Sequence, residues 1–409
     1  MAKRYFRNVE HDIMANPKQI LLLVETSRVF GRGVIEGISR YAREQSNWIF
    51  HFEDRGILEG LPTWLQKWRG DGIIARSPTK ALSKAIGQFQ CPVVELLGDG
   101  KQLSAEVRTD EKLTAELAIE HLLKQGFEHL AFYSIAQSWW SNARRDAFEQ
   151  IVQSRSLSGH VFPGAYKGSS LPYPTWKPDF EAPLTQWLDR LPKPVGVWAA
   201  ADSQAIRILE ACRQINLHVP ADVGVLGTSN DDIVCNLLSP PLSSIELNPH
   251  EVGYKAAALL DLKMKMRNKD TTSRELLQKT PILVPPSEVV VRGSSDRIAI
   301  IDPELDQAVK IINRDAVNGL TVEQLAKEML ISRSTLERRF RDFFECSPAQ
   351  EINRIRIERA KSFLRETAWP IHVIGYNTGF ESPENFIRFF RRLVGKTPRQ
   401  YRNDFYDNE

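Results

Sequence analysis

Residues 331–350, ISRSTLERRFRDFFECSPAQ, and residues 381–400, ESPENFIRFFRRLVGKTPRQ, are two versions of one segment. At an offset of fifty, six positions are identical: Ser332 with Ser382, Arg338 with Arg388, Phe340 with Phe390, Arg341 with Arg391, Pro348 with Pro398, and Gln350 with Gln400. Chance gives about one identity in twenty, so the segment is duplicated. Each copy has the logic of a helix-turn-helix. In the first, Thr321 caps a short helix Val322–Met329, Leu330-Ile331 turns, and Ser332 caps a second helix, Arg333–Phe344, with Leu336, Phe340 and Phe343 facing inward. In the second, Pro370 precedes helix Ile371–Asn377 and Gly379 turns. Ser382 then caps helix Pro383–Leu393, with Pro383 at the first helical position, where its missing N–H is harmless. Ala349–Arg365 reads as a long helix holding the two copies apart.

Charge alone does not decide this region's partner, since a solvated helical surface would also carry it; the repeat decides. From Lys310 to Arg402 there are 18 Lys and Arg against 11 Asp and Glu, a net of +7, while the whole 409-residue chain carries +3. Fourteen of those cations are Arg, the type suited to phosphate and guanine edges. Just inside each second helix the residues are polar: Arg333, Ser334, Glu337 and Arg338, then Glu384, Asn385 and Arg388. Arg reads guanine bidentately, Asn reads adenine, and Glu accepts from cytosine. Arg339, Arg341, Arg391, Arg392 and Arg399 suit phosphates. Two linked reading helices of this kind would enter successive major grooves of double-stranded DNA, about 34 Å apart.

Working outward, the first 290 residues alternate apolar runs with amphipathic segments. Strands are expected at Gln19–Glu25, Trp48–Glu53, Gly72–Ala75, Pro92–Leu97, Leu130–Ser134, Gly196–Ala200 and Val223–Gly227. Helices are expected at Gly33–Arg43, Thr63–Trp68, Lys80–Phe89, Glu111–Gln125, Arg144–Val152, Glu181–Leu191, Ser203–Ile215 and Glu251–Met266. Such alternation implies parallel, doubly wound sheets, here in two sets, hence two lobes with a ligand cleft at the carboxyl ends of their strands. Arg292–Asp302 (RGSSDRIAIID) breaks the pattern and reads as a linker. Four cysteines lie far apart with no paired spacing, so neither a disulfide framework nor a zinc site is expected. No apolar run approaches a membrane span and the first 18 residues lack a signal-peptide core, so a soluble cytoplasmic protein is expected.

Two resemblances attach to these segments. Residues from about Asp306 to Arg402, above all GFESPENFIRFFRRLVGKTPRQYR, resemble the AraC/XylS-family DNA-binding domain, which implies transcription control, usually activation, at promoter DNA. Gly375 departs from that family's usual Ala and predicts a slightly loose helix. Further upstream, VGVLGTSNDDIVCNLLSPPLSSIELNPHEVGYKAAALL resembles the C-terminal lobe of LacI/GalR-type sugar sensors, and VRTDEKLTAELAIEHLLKQGFEHLAFYS resembles their interlobe crossing. The combination resembles the xylose-operon regulator type. It implies an α/β two-lobed sensor of periplasmic-binding-protein fold followed by an all-α domain with two helix-turn-helix motifs. The expected divisions are an N-terminal extension at 1–18, the sensor at 19–291, the linker at 292–302 and the DNA-binding domain at 303–409. Also implied are D-xylose or a relative as effector, a homodimer, and contact with RNA polymerase; no cofactor is called for.

A sugar needs planar bidentate partners for its hydroxyls and an aromatic face for its C–H side. In the second lobe these are Asp202 after one strand, Ser229, Asn230 and Asp231 after another, Trp140 with its neighbour Trp139, and Arg144, which matches the family's ligand-gripping Arg. In the first lobe they are Ser27, Arg28, Arg32 and Arg76. Plainer readings stand beside these: Asp202 as a helix cap, Trp140 as core, Arg28 and Arg32 as surface charges. Ser229 stands where the LacI family usually places Asp, and Arg76 where an acid is usual, a pattern that would suit a sugar acid. Enzyme motifs are absent in usable form. GRGVIEG (Gly31–Gly37) is one residue too long for a dinucleotide fingerprint, VGKT (Val394–Thr397) lacks the P-loop's leading Gly, and HEVGY (His250–Tyr254) lacks a second zinc-binding His.

Overall fold

A computed structural model of the chain describes residues 17–52, 64–76, 84–96, 105–135, 138–162, 182–266, 281–298, 302–344, 346–367 and 369–406. The expectations for residues 1–16, for the beginnings of the helices at 63–68 and 80–89, and for the 163–181 stretch lie outside these residues. The chain divides into two compact units, Met1–Asp296 and Arg297–Glu409.

The first unit holds two six-stranded sheets. One contains β1 (Lys18–Leu23), β2 (Trp48–Phe52), β3 (Gly72–Ala75), β4 (Val93–Leu96), β5 (Glu106–Thr109) and β11 (Ile282–Val284). Its order is β11-β5-β4-β3-β1-β2 and every pair is parallel. The other contains β6 (His129–Tyr133), β7 (Ser158–Val161), β8 (Val195–Ala199), β9 (Val223–Thr228), β10 (Ser243–Ile245) and β12 (Val289–Val290), in the order β12-β10-β9-β8-β6-β7. Here only β12 runs antiparallel, against β10. Central strands are buried on both faces, which is why QILLLVE and VGVLGT read as continuous apolar runs rather than alternating ones.

The sensor unit's helices are α1 (Val29–Gln45), α2 (Glu111–Lys124), α3 (Trp139–Ser154), α4 (Ala182–Arg190), α5 (Asp202–Gln214), α6 (Asp232–Leu237) and α7 (Pro249–Lys265). The chain changes lobe from β5 into α2, from β10 into α7, and from β11 into β12. After its crossing, α7 packs on α1 backbone to backbone. A Cβ on Gly37 would lie 1.9 Å from the His250 carbonyl oxygen, and one on Gly253 would lie 2.0 Å from that of Val34. Gly33 and Gly37 of GRGVIEG therefore serve the packing against α7, while Gly31 sits against the Glu25 backbone; none of them cradles a nucleotide motif.

The supposed linker is a correction. Its first residues belong to the second lobe, since Ser294 and Ser295 are fully buried there. The Ser294 hydroxyl donates to the Val225 carbonyl at 2.6 Å and accepts from the Ser243 N–H at 2.8 Å. At the other end, Asp302 already caps the first helix of the next unit. Lys18, assigned to the N-terminal extension, opens β1.

The second unit is helical: α8 (Pro303–Asp315), α9 (Val322–Glu328), α10 (Arg333–Phe344), α11 (Pro348–Glu366), α12 (Ile371–Tyr376), α13 (Pro383–Val394) and α14 (Pro398–Tyr406). The capping residues act as the sequence predicts. Thr321 forms a reciprocal capping box with Gln324, Ser332 accepts from the Thr335 N–H, and Ser382 accepts from the Asn385 N–H; Ser347, not expected as a cap, forms a second box with Gln350. The repeat is physical: Leu336 and Phe340 are buried in one cluster, and their counterparts at +50, Phe386 and Phe390, are buried in the other. Phe343, expected inside, is half-buried. Gly375 sits within the helix Ile371–Tyr376. It is buried under Phe386, whose ring and Cβ stand 3.1 Å from where a methyl group would be.

Candidate functional site

In each sheet the strands that carry site residues are parallel, so their carboxyl ends share one edge. Val24 and Glu25 extend β1 on the first edge, and Arg76 follows β3. Glu25 is buried, and its carboxylate pairs with the Arg76 guanidinium. On the second edge, Arg144 projects from the second turn of α3. Its Nε donates to Glu111 Oε2 at 2.5 Å, its Nη2 to Glu111 Oε1 at 3.3 Å, and its Nη1 to the Ala200 carbonyl at 2.6 Å. Glu111, at the crossing from β5 into α2, also accepts from the Thr109 hydroxyl. The Arg144 guanidinium lies 4.8 Å from the centroid of the Trp140 ring, while Trp139 carries the Arg108 guanidinium at 5.2 Å. Planar cations on aromatic faces hold both rings in orientation.

The two edges face each other. Burial lowers the Arg76 pKa to about 10, and the positive charge of Arg144 adds to that effect. Arg28, before α1, is likewise lowered to about 10 by burial, against the pull of Asp231 from the other lobe.

After β9 the backbone enters the left-handed region at Ser229 (φ 116°) and Asn230 (φ 50°). Neither residue is glycine, so the surroundings must hold the turn. The Ser229 N–H donates to the Ile245 carbonyl at 2.9 Å and the Asn230 N–H to Ser244 Oγ at 3.0 Å. Buried Asp202 completes the brace, accepting from the Ser244 hydroxyl at 2.5 Å and from the Asp231 N–H at 3.0 Å. Burial raises the Asp202 pKa, while those donors pull it back. Asn230 is held from both ends: Nδ2 donates to Glu246 Oε2 at 3.4 Å and Oδ1 accepts from Arg292 Nη2 at 3.0 Å. Asp231 caps α6.

In the helical unit, Arg338, Arg341, Arg388 and Arg391 are all exposed at matching positions of α10 and α13. Arg338, Arg341 and Arg391 carry no side-chain hydrogen bond or ion pair among the described residues, and Arg388 donates to Asn385 Oδ1 at 2.8 Å. Ser334 and Glu384 are exposed as well.

Three family models match in series: the XylR N-terminal domain at residues 19–106, the periplasmic binding protein-like domain at 119–295, and a helix-turn-helix domain at 325–404. The xylose operon regulatory protein of Escherichia coli (strain K12) is 30% identical over 396 residues, covering 94% of this chain and 97% of that one. The Haemophilus influenzae protein of the same name is 30% identical over 393 residues, covering 94% and 98%. The chain belongs to the xylose operon regulatory protein family. A solved structure of the xylose-binding transcription activator xylR superposes with a TM-score of 0.59 at 28% identity, covering 95% of this chain and 98% of that one. The lac repressor dimer bound to operator shares the sensor fold, with a TM-score of 0.51 at 16% identity over 71% of this chain. The chain is thus a ligand-responsive transcription regulator of the sugar-operon type, not an enzyme.

Within this family frame, the structure sorts the expected residues. Arg76, Arg144, Trp140, Asp202, Ser229, Asn230 and Asp231 gather at the facing edges, and Arg28 reaches Asp231 electrostatically. Ser27 and Arg32 are exposed, and Arg32 donates to the Thr26 carbonyl at 2.9 Å, in keeping with its surface reading. Asp202 is not the helix cap, a place held by Ala201; it braces the Ser229–Asp231 turn. Trp140 is half-buried against the core and also faces Arg144. In the helical unit, Arg333 is tied to Glu323 and Glu337, and Arg339 to Asp302 and Glu304, so neither guanidinium stands free. Exposed pairs of this kind contribute about 0–1 kcal/mol and exchange readily for a phosphate.

Sequence reasoning missed Glu25, Glu111, Ser244 and Arg292. Glu25 had a signal, a lone acid closing the QILLLVE run. Arg292 was hidden inside the supposed linker. Its guanidinium is spread over Asn230, Asp232, Asn236 and the Leu242 carbonyl.

Proposed function

We propose that the chain binds a neutral pentose, D-xylose or a close relative, between its lobes. It answers by changing its grip, through α10 and α13, on double-stranded promoter DNA of a sugar-catabolism operon. The observation that carries the neutral-ligand reading is the charge balance of the facing edges. Arg76 has its own carboxylate in Glu25 and Arg144 has its own in Glu111, so neither of these two cations is left for an acidic ligand. The Arg76 departure noted in the sequence therefore does not favour a sugar acid. Family likeness adds weight: the relatives are named for the xylose operon, and the superposed structure for xylose binding and activation. We read the protein as a cytoplasmic homodimer, presenting four helix-turn-helix units to two half-sites, and as an activator contacting RNA polymerase. No helix among the described residues is long and apolar enough to cross a membrane.

The test is a thermal-shift scan of the purified protein against pentoses, hexoses and their acids. A ligand that binds only the folded state raises the midpoint with concentration. Stabilisation by xylose and not by xylonate is expected. Stabilisation by the acid alone, or by no sugar, overturns the reading.

A further inference from the structure

The charge balance on the first edge depends on one pair, and that pair is incomplete. Glu25 is 3% exposed. One of its carboxylate oxygens is engaged by Arg76; the other, Oε2, is buried with no hydrogen-bond partner among the described residues. A buried carboxylate oxygen without a donor is costly, and native proteins retain one where a function needs it. At the entrance of α1 the chain packs closely on Glu25: a Cβ on Gly31 would lie 1.9 Å from the Glu25 carbonyl oxygen and 3.1 Å from its Cδ. The Glu25–Arg76 pair follows β1 and β3, at the edge that faces Arg144.

We propose that the Glu25–Arg76 pair sets the ligand class of the interlobe site, Glu25 Oε2 accepting a hydrogen bond from a hydroxyl of a neutral sugar while the same carboxylate cancels the Arg76 charge that would otherwise welcome an acid. The inference rests on the sugar-binding reading above and deepens it. A sugar hydroxyl is a donor, which Oε2 lacks. A ligand carboxylate brings only acceptors and a like charge, and finds Arg76 already occupied. In selectivity of this kind, repulsion turns the wrong class away more than attraction rewards the right one.

Isothermal titration of the full-length protein with D-xylose and with D-xylonate tests it. Wild type should bind xylose and reject xylonate. Glu25→Gln keeps the size, removes the charge and leaves Arg76 uncompensated. The xylose-to-xylonate affinity ratio should then fall by about tenfold or more, with xylonate binding gained. Glu25→Asp keeps the charge but draws the oxygen back by one methylene, so xylose should weaken by about tenfold while xylonate stays rejected. A ratio within about twofold of wild type in Glu25→Gln overturns the proposal. If that variant shows no cooperative melt, Glu25→Asp decides alone, and unchanged xylose affinity overturns it. A wild type that binds neither compound, or prefers xylonate, overturns the sugar reading of the site and this inference with it. The two failures are distinct, because the first is seen only in the variants and the second already in the wild type.

Discussion

His121 is a buried ring with a definite pH signature. It lies on α2, the helix that enters the second lobe, and a ring nitrogen sits 2.7 Å from the Ser295 hydroxyl at the end of the sensor unit. Burial, with Lys124 nearby, lowers its pKa to about 4. In the unfolded chain the same group titrates near 6.5. Above about pH 6.5 both states hold it neutral and folding bears no cost. Between about 6.5 and 4 the unfolded chain takes up a proton that the folded chain refuses, so stability falls as pH falls, by up to about 1.4 kcal/mol per pH unit. The sensor's melting midpoint should therefore drop between pH 7 and 5, and His121→Gln should flatten that drop. Parallel pH profiles for the two proteins would place the acid sensitivity elsewhere. At this scale the sequence reveals chemistry better than partnership. The places of Arg144 and Asn230 at the strand edges were foreseen, Arg144 through its family resemblance and Asn230 as an amide following a strand. That Glu111 answers Arg144, 33 positions earlier, or that Arg292 answers Asn230, is set by the tertiary fold and leaves no local spacing to read.

Among the elements, the relation between the two helix-turn-helix copies depends on a turn. Gly379 has φ +82°, and a Cβ there would stand 2.8 Å from the Ala316 carbonyl oxygen and 2.9 Å from that of Val317. The second copy's turn is thus seated on the turn that precedes the first copy. Arg356 on α11 reinforces the junction, donating to the Ala316 and Leu320 carbonyls at 2.8 and 2.9 Å. Gly319 is the natural control, with φ +87° and open space around it. Gly319→Ala should cost about 1 kcal/mol, the left-handed penalty alone. Gly379→Ala should cost at least twice that, because backbone must also move, and should weaken specific DNA binding as the reading helices lose their spacing. Denaturant unfolding of the helical unit with a parallel DNA titration checks both; equal costs would mean the junction yields freely. Elements with strong periodicity were legible down to their caps, Thr321 and Ser382 included. The strands the sequence missed are β5, β7, β10, β11 and β12, of two to four residues each. Unlike the equally short but apolar β3 (GIIA), β5 (EVRT) and β7 (SGHV) are polar, and the two- and three-residue strands are too short to carry a period; their strand identity comes from the neighbour they pair with.

For the molecule as a whole, the proposed sugar site and the helix-turn-helix domain fall to separate compact units, so damage to one can be told from damage to the other. Arg388 is the sharpest probe. Its twin at −50, Arg338, has no described partner, and Arg388 itself meets only the neutral amide of Asn385, so both guanidiniums keep their full charge for nucleic acid. Arg333, by contrast, arrives with two carboxylates attached. An Arg held by an Asn side chain on the first turns of a reading helix is oriented for a base edge, where one bidentate contact contributes about 1–3 kcal/mol of discrimination. Arg388→Ala should thus weaken specific promoter binding by about tenfold, relax preference at one base, and leave the sugar-induced thermal shift unchanged. Salt dependence separates the alternatives: a base contact lowers affinity for the specific site with little change in slope, whereas a phosphate contact lowers affinity on all sequences and reduces the slope of log K against log salt by about one. If the sugar-induced shift moves together with DNA affinity, the units do not act separately and the assignment of Arg388 to the DNA face alone fails.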